Sequence, residues 1–299
     1  AGPPAPARTP RAEPAAAGGQ RARPASAPAV VLRLRSGEAP LRAPGLEALC
    51  LDVGAADTAE SVAHAHRRLS RSGLPVRCRL PEIVFDDDWA WLGAVLAQPW
   101  ATVYVRHLGV LAAVADLAPA ADVVLEYPLQ GLNGAPAGVL AGVAGRGPAG
   151  VVASPEASLE EIAALASSLA SLDPPATVEV LAFGRQQVLH ARDQLGRAEG
   201  LVAAPGPDEH VDLLLEDARG YVFPVEVDQH GTRLYNAHVT DLTANLEELR
   251  AAGVTWLSVI QRDLDAPRRR AFAASGLPGL AGAVERERST TGHLFRGVA

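Results

Sequence analysis

VEVLAFGRQQ (Val178–Gln187) begins the segment from which the architecture of this chain is read most directly. Its apolar run turns polar at the end, and short strand patterns follow in DLLLEDARGYVFPVEVDQHGTRLYNA (Asp212–Ala237). The pairs Arg219-Gly220 and His230-Gly231 separate these patterns, as turn residues do in antiparallel hairpins. The segment therefore predicts one buried strand followed by a small antiparallel insertion, over about residues 195–238.

Seven other apolar runs share the pattern of that strand, because each is short, ends in polar residues and precedes a segment rich in Ala and Leu. Together they predict eight strands, at Val30–Arg35, Ala48–Val53, Val76–Leu80, Thr102–Leu108, Asp122–Tyr127, Gly150–Ser154, Thr177–Phe183 and Val254–Ile260. Strands that alternate with helices at about 25-residue spacing are typical of parallel sheets with helical crossovers. Eight such units predict an α/β fold, an irregular (β/α)8 TIM-like barrel. Its first crossover, Ser36–Ala48, contains two prolines and is expected to be irregular.

Capping residues mark several of the predicted helices. Asp57 or Thr58 precedes one helix, and Gly73 is expected to end it. SLEE (Ser158–Glu161) matches a capping box, in which the first and fourth residues satisfy each other's backbone amides. Asp241 is expected to begin the helix before the last strand.

Composition and length indicate a globular chain. The 299 residues are 48% hydrophobic, which is enough for a large core. Apolar runs stay short of the ~20 residues that span a bilayer, and no signal-peptide pattern is present, so the expected location is cytoplasmic with no membrane partner. Residues Ala1–Ala29, almost all Ala, Pro, Gly, Arg and Ser, predict a disordered arm or linker before a domain over 30–299. The missing initial Met indicates a processed product or part of a longer polypeptide.

Residue usage also excludes several kinds of chemistry. All 27 basic residues are arginine, and without lysine a Walker-type phosphate loop or a pyridoxal Schiff base is excluded. Two cysteines, Cys50 and Cys78, cannot form a disulfide framework or a four-cysteine metal site. The net charge is −7, which disfavours general nucleic-acid binding but leaves a local arginine cleft open. No GxSxG or HExxH motif supports serine-protease or metalloprotease chemistry.

Several segments resemble the collagenase-like peptidase family U32. The closest likeness to the family signature lies in LAFGRQQVLHARDQLG (181–196) and LLLEDARGYVFPVEVDQHGTRLYNAHVTDL (213–242). Further similar segments are RLPEI (79–83), YPLQGLN (127–133), VVASPEASLEEI (151–162) and TTGHLFRGV (290–298). The likeness covers about residues 30–298 and, with the proline-rich start, indicates the carboxyl-terminal half of a longer family member.

The resemblance implies more than one activity. Some family members are described as proteases that act on collagen, and others support oxygen-independent hydroxylation of RNA bases or of a quinone precursor with an iron–sulfur cluster held by four cysteines. Gln194 stands where the family carries its first motif cysteine, and no cysteine follows it before Asp217. Because glutamine does not replace a cluster thiolate, we expect a degenerate iron–sulfur site and no cofactor in this domain. A preceding half of the same polypeptide, or a cluster-bearing family partner, would supply the cluster.

The candidate substrate-binding residues follow predicted strands. Arg185 and Gln186 come after the seventh strand and Arg262 after the eighth, where barrel loops often bind phosphate or carboxylate groups. Tyr127 and Asn133 follow the fifth strand and either line the pocket or hold the loop. For Arg185 the alternative is an ion pair with an acid of the insertion, Glu216 or Asp217.

Glu156 and His107 are the candidate acid–base groups. Glu156 follows the sixth strand, but Ser154 as cap and Pro155 as first helical residue would place it in an ordinary helix start. His107 ends the fourth strand and is either a general base or a hydrogen-bonded structural residue. His64 and His66 are two residues apart on a helix and therefore do not form a metal pair.

Two classes of function remain open. The first is a domain of a hydroxylation or RNA-modification protein that binds RNA or a small molecule. The second is a non-catalytic scaffold that has lost the cluster. Proteolysis, which the family name implies, has no nucleophile, metal site or paired acids at a spacing that supports it.

Overall fold

A closed parallel barrel forms the body of the protein, in a computed structural model that describes residues 27–54, 56–129, 134–197, 200, 210–281 and 289–295. The barrel strands are β1 (Ala29–Leu34), β2 (Leu46–Asp52), β3 (Val76–Arg79), β4 (Thr102–Val105), β5 (Asp122–Leu125), β6 (Gly150–Val152), β7 (Thr177–Gly184) and β13 (Trp256–Ile260). Each strand pairs in parallel with the next, and β13 closes the ring between β7 and β1. The predicted eight-stranded α/β barrel is confirmed.

Helices surround this barrel. They are α1 (Ala59–Ser70), α2 (Trp89–Leu96), α3 (Leu108–Leu117), α4 (Gly134–Ala144), α5 (Leu159–Ala170), α6 (Leu246–Ala251) and α7 (Ala266–Ser275), with short 3-10 helices at Asp86–Asp88, Gln261–Asp263 and Leu277–Leu280. The first crossover contains no helix between β1 and β2, and the register of that strand pair shifts at Val30 and Val31. The expected irregularity is therefore present. No helix in the described ranges is long and apolar enough to cross a membrane.

Two predicted helix starts are confirmed and two are wrong. The Thr58 hydroxyl accepts a hydrogen bond from Ser61 N at 3.0 Å at the start of α1, and Ser158 forms the predicted capping box of α5. Ser154 does not cap that helix, because its hydroxyl accepts from Glu156 N within a separate turn. Asp241 ends a strand instead of starting a helix, since it pairs with the end of β7.

The predicted insertion is a four-stranded antiparallel sheet. Its strands are β8 (Gln187–Ala191), β9 (His210–Glu216), β10 (Val222–Asp228) and β11 (Gly231–Tyr235), in the order β8-β11-β10-β9. The sheet begins eight residues before the predicted boundary at residue 195, because β8 was not recognised in the polar run after β7. Gly231 has φ of 121°, and a Cβ there would lie 2.0 Å from the carbonyl oxygen of Ala191. Only glycine allows this close approach of β11 to β8.

Two short strands join the sheet to the barrel. β12 (Val239–Asp241) runs antiparallel to the end of β7, and β14 (Ser289–Thr290) runs parallel to β12. The hairpin between β10 and β11 reaches the 3-10 helix after β3, where the His230 ring stacks edge-on against Phe85 at 5.3 Å. His230 Nε2 also lies 3.6 Å from a carboxylate oxygen of Asp88. These contacts hold the sheet across the carboxyl end of the barrel.

The interior of the barrel changes character along its axis. Apolar residues between the strands and the helices form the main core, while a smaller buried cluster that includes Val31, Cys50 and Tyr104 lies inside the barrel. Towards the carboxyl ends of the strands the buried residues are charged, with Arg33 and Glu126 among them. The fold thus places a polar interior beneath the antiparallel sheet.

Candidate functional site

A cavity of about 940 Å³ lies at the carboxyl end of the barrel, between the strand ends and the antiparallel sheet. Its wall is strongly charged, and the positive and negative side chains are nearly equal in number. The arginines are Arg33, Arg35, Arg79, Arg106, Arg185, Arg233 and Arg262, and the carboxylates are Glu38, Asp52, Asp57, Glu82, Glu126, Glu156, Glu226 and Asp228. Loops at this end of an α/β barrel carry the active site in barrel enzymes, which makes the cavity the candidate site.

Buried ion pairs form the base of the cavity. Two nitrogens of Arg33 lie 3.2 Å from the two carboxylate oxygens of Asp52. Arg79 holds Glu126 in a fork, with Nε at 2.6 Å from Oε2 and Nη2 at 2.7 Å from Oε1. Burial alone would raise the pKa of Glu126, but Arg79 and Arg106 lower it to about 2. These charges are therefore in place before any ligand binds.

Glu226 of β10 lies at the centre of a second cluster of charged side chains, nearer the rim of the cavity. Its carboxylate contacts the guanidinium groups of Arg35 and Arg262 and accepts a hydrogen bond from the Tyr235 hydroxyl at 2.9 Å. Arg233 Nε lies 3.5 Å from the same carboxylate. The guanidinium of Arg262 also stacks over the Tyr235 ring at 4.4 Å. One buried carboxylate thus orients three arginines towards the cavity.

The rim ion pairs present their cations to solvent. The side chains of Arg35 and Arg262 are 33% and 26% exposed, whereas that of Glu226 is 10% exposed. Arg185 is 28% exposed, and its partner Asp263 is 8% exposed. In each pair the acid lies beneath the arginine, so a ligand that enters the cavity meets guanidinium groups first. Such groups bind carboxylate and phosphate oxygens in bidentate fashion.

A third cluster joins β8 to the loop after β3. Glu82 Oε1 lies 2.6 Å from Nδ1 of His190, and the same oxygen accepts a hydrogen bond from Gln187. Arg106 donates to the other oxygen, Oε2. The His190 side chain is only 8% exposed. Its second ring nitrogen, Nε2, is buried and has no hydrogen-bond partner among the described residues.

Five of the six candidate residues from the sequence line this cavity, namely Arg185, Gln186, Glu156, Arg262 and Tyr127. Asn133 lies outside the described residues. The predicted loops after the fifth to eighth strands therefore do converge, as the barrel geometry requires. Whether these residues bind a substrate stays a prediction.

The ion-pair alternative for Arg185 holds, but with a different partner. Arg185 Nη1 lies 3.3 Å from Asp263, and the backbone N of Arg185 donates to the same carboxylate at 2.7 Å. Asp263 follows β13, so the pair links the loops of the two last barrel strands. The expected partners, Glu216 and Asp217, lie at the far end of β9. The Nε of Arg185 is buried without a hydrogen-bond partner in the described part of the chain.

The remaining candidates contribute mainly backbone contacts or exposed side chains. The Gln186 carbonyl accepts a hydrogen bond from Asn236 N at 2.8 Å. The Tyr127 carbonyl accepts one from Arg106 Nε at 3.0 Å, and its ring is exposed. Glu156 is exposed in the turn before α5. The side chains of Tyr127 and Glu156 are thus free to turn towards a ligand.

His107, His66 and Gln194 have structural contacts. His107 begins α3, with Nδ1 accepting from Val110 N at 3.4 Å, which agrees with its structural alternative. His66 is buried edge-on against Trp100 at 4.6 Å. Gln194 donates to the Asp228 carbonyl at 2.9 Å and accepts from Arg197. In the described ranges no three His, Cys, Asp or Glu side chains form a group that could hold a metal.

The sequence reasoning did not identify Glu82, His190, Glu226 or Arg233. Glu82 lies in RLPEI and the other three lie in the two segments that carry the family resemblance. Each was part of a quoted motif, but none follows a barrel strand directly. Alternation along β8, β10 and β11 would have placed His190, Glu226 and Arg233 on one face of the sheet, had β8 been recognised.

Comparisons with known proteins leave family membership a prediction. No model of a protein family matches the chain, and no curated protein matches it significantly. Among solved structures, a proposed deoxyribose-phosphate aldolase from Coccidioides immitis is 15% identical, with a TM-score of 0.37 over 52% of this chain and 72% of that one. A class V chitinase from Pseudomonas fluorescens Pf-5 is 13% identical, with a TM-score of 0.40 over 85% of this chain and 100% of that one. Likenesses this weak carry no argument, so the functional assignment rests on the site.

Proposed function

We propose that this chain is the substrate-binding domain of a U32-type protein that supports hydroxylation or RNA modification, and that its cavity holds the substrate by an anionic group. The observation that carries the proposal is the arrangement of the rim, where Arg35, Arg185 and Arg262 are partly exposed above buried acids. A carboxylate or phosphate group would gain hydrogen bonds from guanidinium groups that are already oriented.

The size of the cavity suits such a ligand. Pockets of about 300–1,000 Å³ hold small molecules and cofactors, and this cavity is about 940 Å³. A nucleotide of an RNA chain or a small carboxylated molecule is therefore the proposed class of substrate. Gln194 stands where the resemblance implies a cluster cysteine and is hydrogen-bonded to Asp228. The proposal accordingly assigns cluster chemistry to another part of the polypeptide or to a partner.

The test is complementation of a gene deletion with Arg262→Gln and, separately, Arg185→Ala. Hydroxylated nucleosides and quinones would be measured by mass spectrometry in the deletion strain and in each complemented strain. We expect Arg262→Gln to reduce the product at least tenfold without lowering the thermal midpoint, since Glu226 keeps Arg35, Arg233 and Tyr235 as partners. Arg250→Gln is the matched control, because Arg250 pairs only with exposed Glu247 in the described structure.

The outcomes separate the two classes of function. If the deletion changes no modified nucleoside or quinone, or if both arginine variants restore the product fully, the scaffold alternative is favoured and substrate binding in the cavity is wrong. Loss of product together with an equal loss of stability in Arg185→Ala would identify the Arg185–Asp263 pair as structural. Iron and acid-labile sulfide in the full-length gene product, compared with this domain alone, would locate the cluster.

A further inference from the structure

The cluster around His190 has the geometry of an oriented acid–base group. Its Nδ1 is held by Glu82 at 2.6 Å, while its Nε2 has no partner in the described structure although the side chain is 92% buried. Buried polar atoms are almost always hydrogen-bonded, so an unpaired ring nitrogen in the wall of a cavity requires an explanation. A ligand that donates a hydrogen bond to Nε2 would supply the missing partner.

Glu82 is fixed in its role as acceptor. Burial would raise its pKa, but the hydrogen bond from His190 and the guanidinium of Arg106 hold that pKa well below its usual range. An ionised carboxylate only accepts hydrogen bonds, so the Nδ1 of His190 carries a proton and donates it. In the neutral imidazole, Nε2 then has the free lone pair. The contacts from Arg106 and Gln187 keep the carboxylate from turning away.

The sheet places this group beside the rim arginines. His190 of β8 pairs across the strands with Arg233 of β11, and Arg233 pairs with Glu226 of β10. The three side chains therefore stand in a row on the cavity face of the sheet, and Arg262 contacts Glu226 at the end of that row. Arg233 is also held by Asp228, whereas Arg262 is more exposed. A ligand whose anionic group lies on Arg262 would extend along the row towards His190.

We propose that His190 is a general base for a substrate bound in this cavity, and that Glu82 is its positioning residue. The substrate class is an anionic molecule, a nucleotide or a small carboxylate, that carries an ionisable O–H or N–H group. That bond breaks and leaves its electron pair on the substrate, while the proton forms a new N–H bond at Nε2. The negative charge of Glu82 balances the positive charge of the resulting imidazolium. Nε2 later donates the proton to the product or to water, which restores the neutral imidazole. The inference rests on the proposed function and assigns the proton-transfer group within it.

The first test reads the histidine itself and needs no substrate. In the ¹⁵N-histidine-labelled full chain, long-range ¹H–¹⁵N correlations distinguish a protonated from an unprotonated ring nitrogen. We expect His190, assigned by loss of its signals in His190→Gln, to carry its proton on Nδ1 with Nε2 unprotonated. Glu82→Gln should mix the two tautomers. An Nε2-protonated tautomer in the wild-type protein would overturn the proposal.

Inorganic phosphate serves as the probe for the neighbouring anion site. Its addition is expected to shift the His190 resonances in the wild-type chain and to shift them less in Arg262→Gln. His64, which is exposed on α1, provides the control resonance and should not move. A phosphate titration that leaves His190 unchanged, or that moves His64 equally, would argue against a ligand path between the rim and His190.

The second test uses the modification assay described above. General acid–base catalysis contributes about 10²–10⁴-fold, so we expect His190→Gln to reduce the amount of modified product in the complemented strain by about 10²-fold or more, without lowering the thermal midpoint of the protein. Arg262→Gln should reduce the product at least tenfold, as stated above, and His64→Gln should match the wild type. If Arg262→Gln impairs the protein and His190→Gln does not, the general base is wrong and the binding function stands. If neither variant has an effect, both proposals fail.

Discussion

Charged and polar side chains fill much of the barrel interior, where α/β barrels usually pack branched apolar residues. Below the cavity, Arg77 donates to the Tyr104 hydroxyl at 2.8 Å, and that hydroxyl donates to Glu179 at 2.6 Å. Arg77 also lies over the Trp256 ring at 3.6 Å. Buried charges are tolerated only when they are paired. Removing one partner is therefore strongly destabilising, because the other charge stays buried without compensation.

Glu126→Gln is expected to lower the free energy of unfolding by about 3 kcal/mol at pH 7, because Arg79 would remain buried without its carboxylate. The pKa of Glu126 is lowered from 4.5 to about 2 in the folded protein. Its contribution is therefore complete above about pH 4.5 and disappears as the pH falls towards 2. Urea unfolding of the wild type and the variant across that range measures the effect.

A matched control for this prediction is Glu247→Gln, since Glu247 is exposed and pairs with Arg250 on one face of α6. Exposed pairs of this kind contribute little, so this variant should unfold almost as the wild type does. If the stability difference between Glu126→Gln and the wild type stayed constant from neutral to acid pH, the lowered pKa of Glu126 would be contradicted.

At the start of α5, two nearby serines are both candidates for the helix cap. Both Ser154 and Ser158 fit a cap in the sequence, since each precedes a segment with acidic residues in its first turn. In the structure Ser158 Oγ accepts from Glu161 N at 3.2 Å, and Glu161 accepts from Ser158 N at 2.7 Å. The turn at Ser154 instead carries Glu156 to the cavity rim. The reciprocal pair of hydrogen bonds distinguishes the true cap.

Ser158→Ala is expected to destabilise the protein by about 1 kcal/mol, the usual cost of losing a serine cap. Ser154→Ala, the matched substitution four residues earlier, should cost clearly less because its hydroxyl accepts a single bond in an exposed turn. Chemical denaturation of both variants decides between the two positions. Equal destabilisation, or a larger effect at Ser154, would show that the cap is misassigned.

The whole molecule consists of a closed barrel and a sheet held across its carboxyl end. The barrel closes through β13, which pairs with β7 on one side and β1 on the other. The antiparallel sheet keeps two edges, β8 and β9. Among the described strands β9 pairs only with β10 and is mostly exposed, whereas β2 pairs on both sides and is mostly buried. The two parts should therefore differ in local stability.

Hydrogen exchange is expected to show this difference. Amides of β9 should exchange about two orders of magnitude faster than those of β2, because β9 can open without disturbing the barrel. β10 provides the internal control, since it pairs with both β9 and β11 and buries Val225 and Val227. Equal protection of β9 and β2, measured by mass spectrometry of peptic peptides, would indicate that sheet and barrel open as one unit.

Alternation and capping in the sequence predicted the eight barrel strands, the antiparallel insertion and two of the helix caps, because these depend on neighbours two to four residues away. Position after a strand was also enough to bring Arg185, Gln186 and Arg262 to one cavity, since parallel strands end on one side of a barrel. A local pattern therefore predicts which segments meet.

Only the tertiary structure decided which charges pair. His190 and Glu82 are 108 positions apart, and Arg185 and Asp263 are 78 apart. Such pairs depend on closure of the barrel and on the register of β8 against β11. Neither of these can be predicted from a periodic pattern in the sequence. Charged side chains follow nearly every strand here, and burial selects among their possible partners because an unpaired charge is costly inside the fold. The contact between His190 and Glu82, which orients the candidate base, therefore forms only when the barrel and the sheet are assembled.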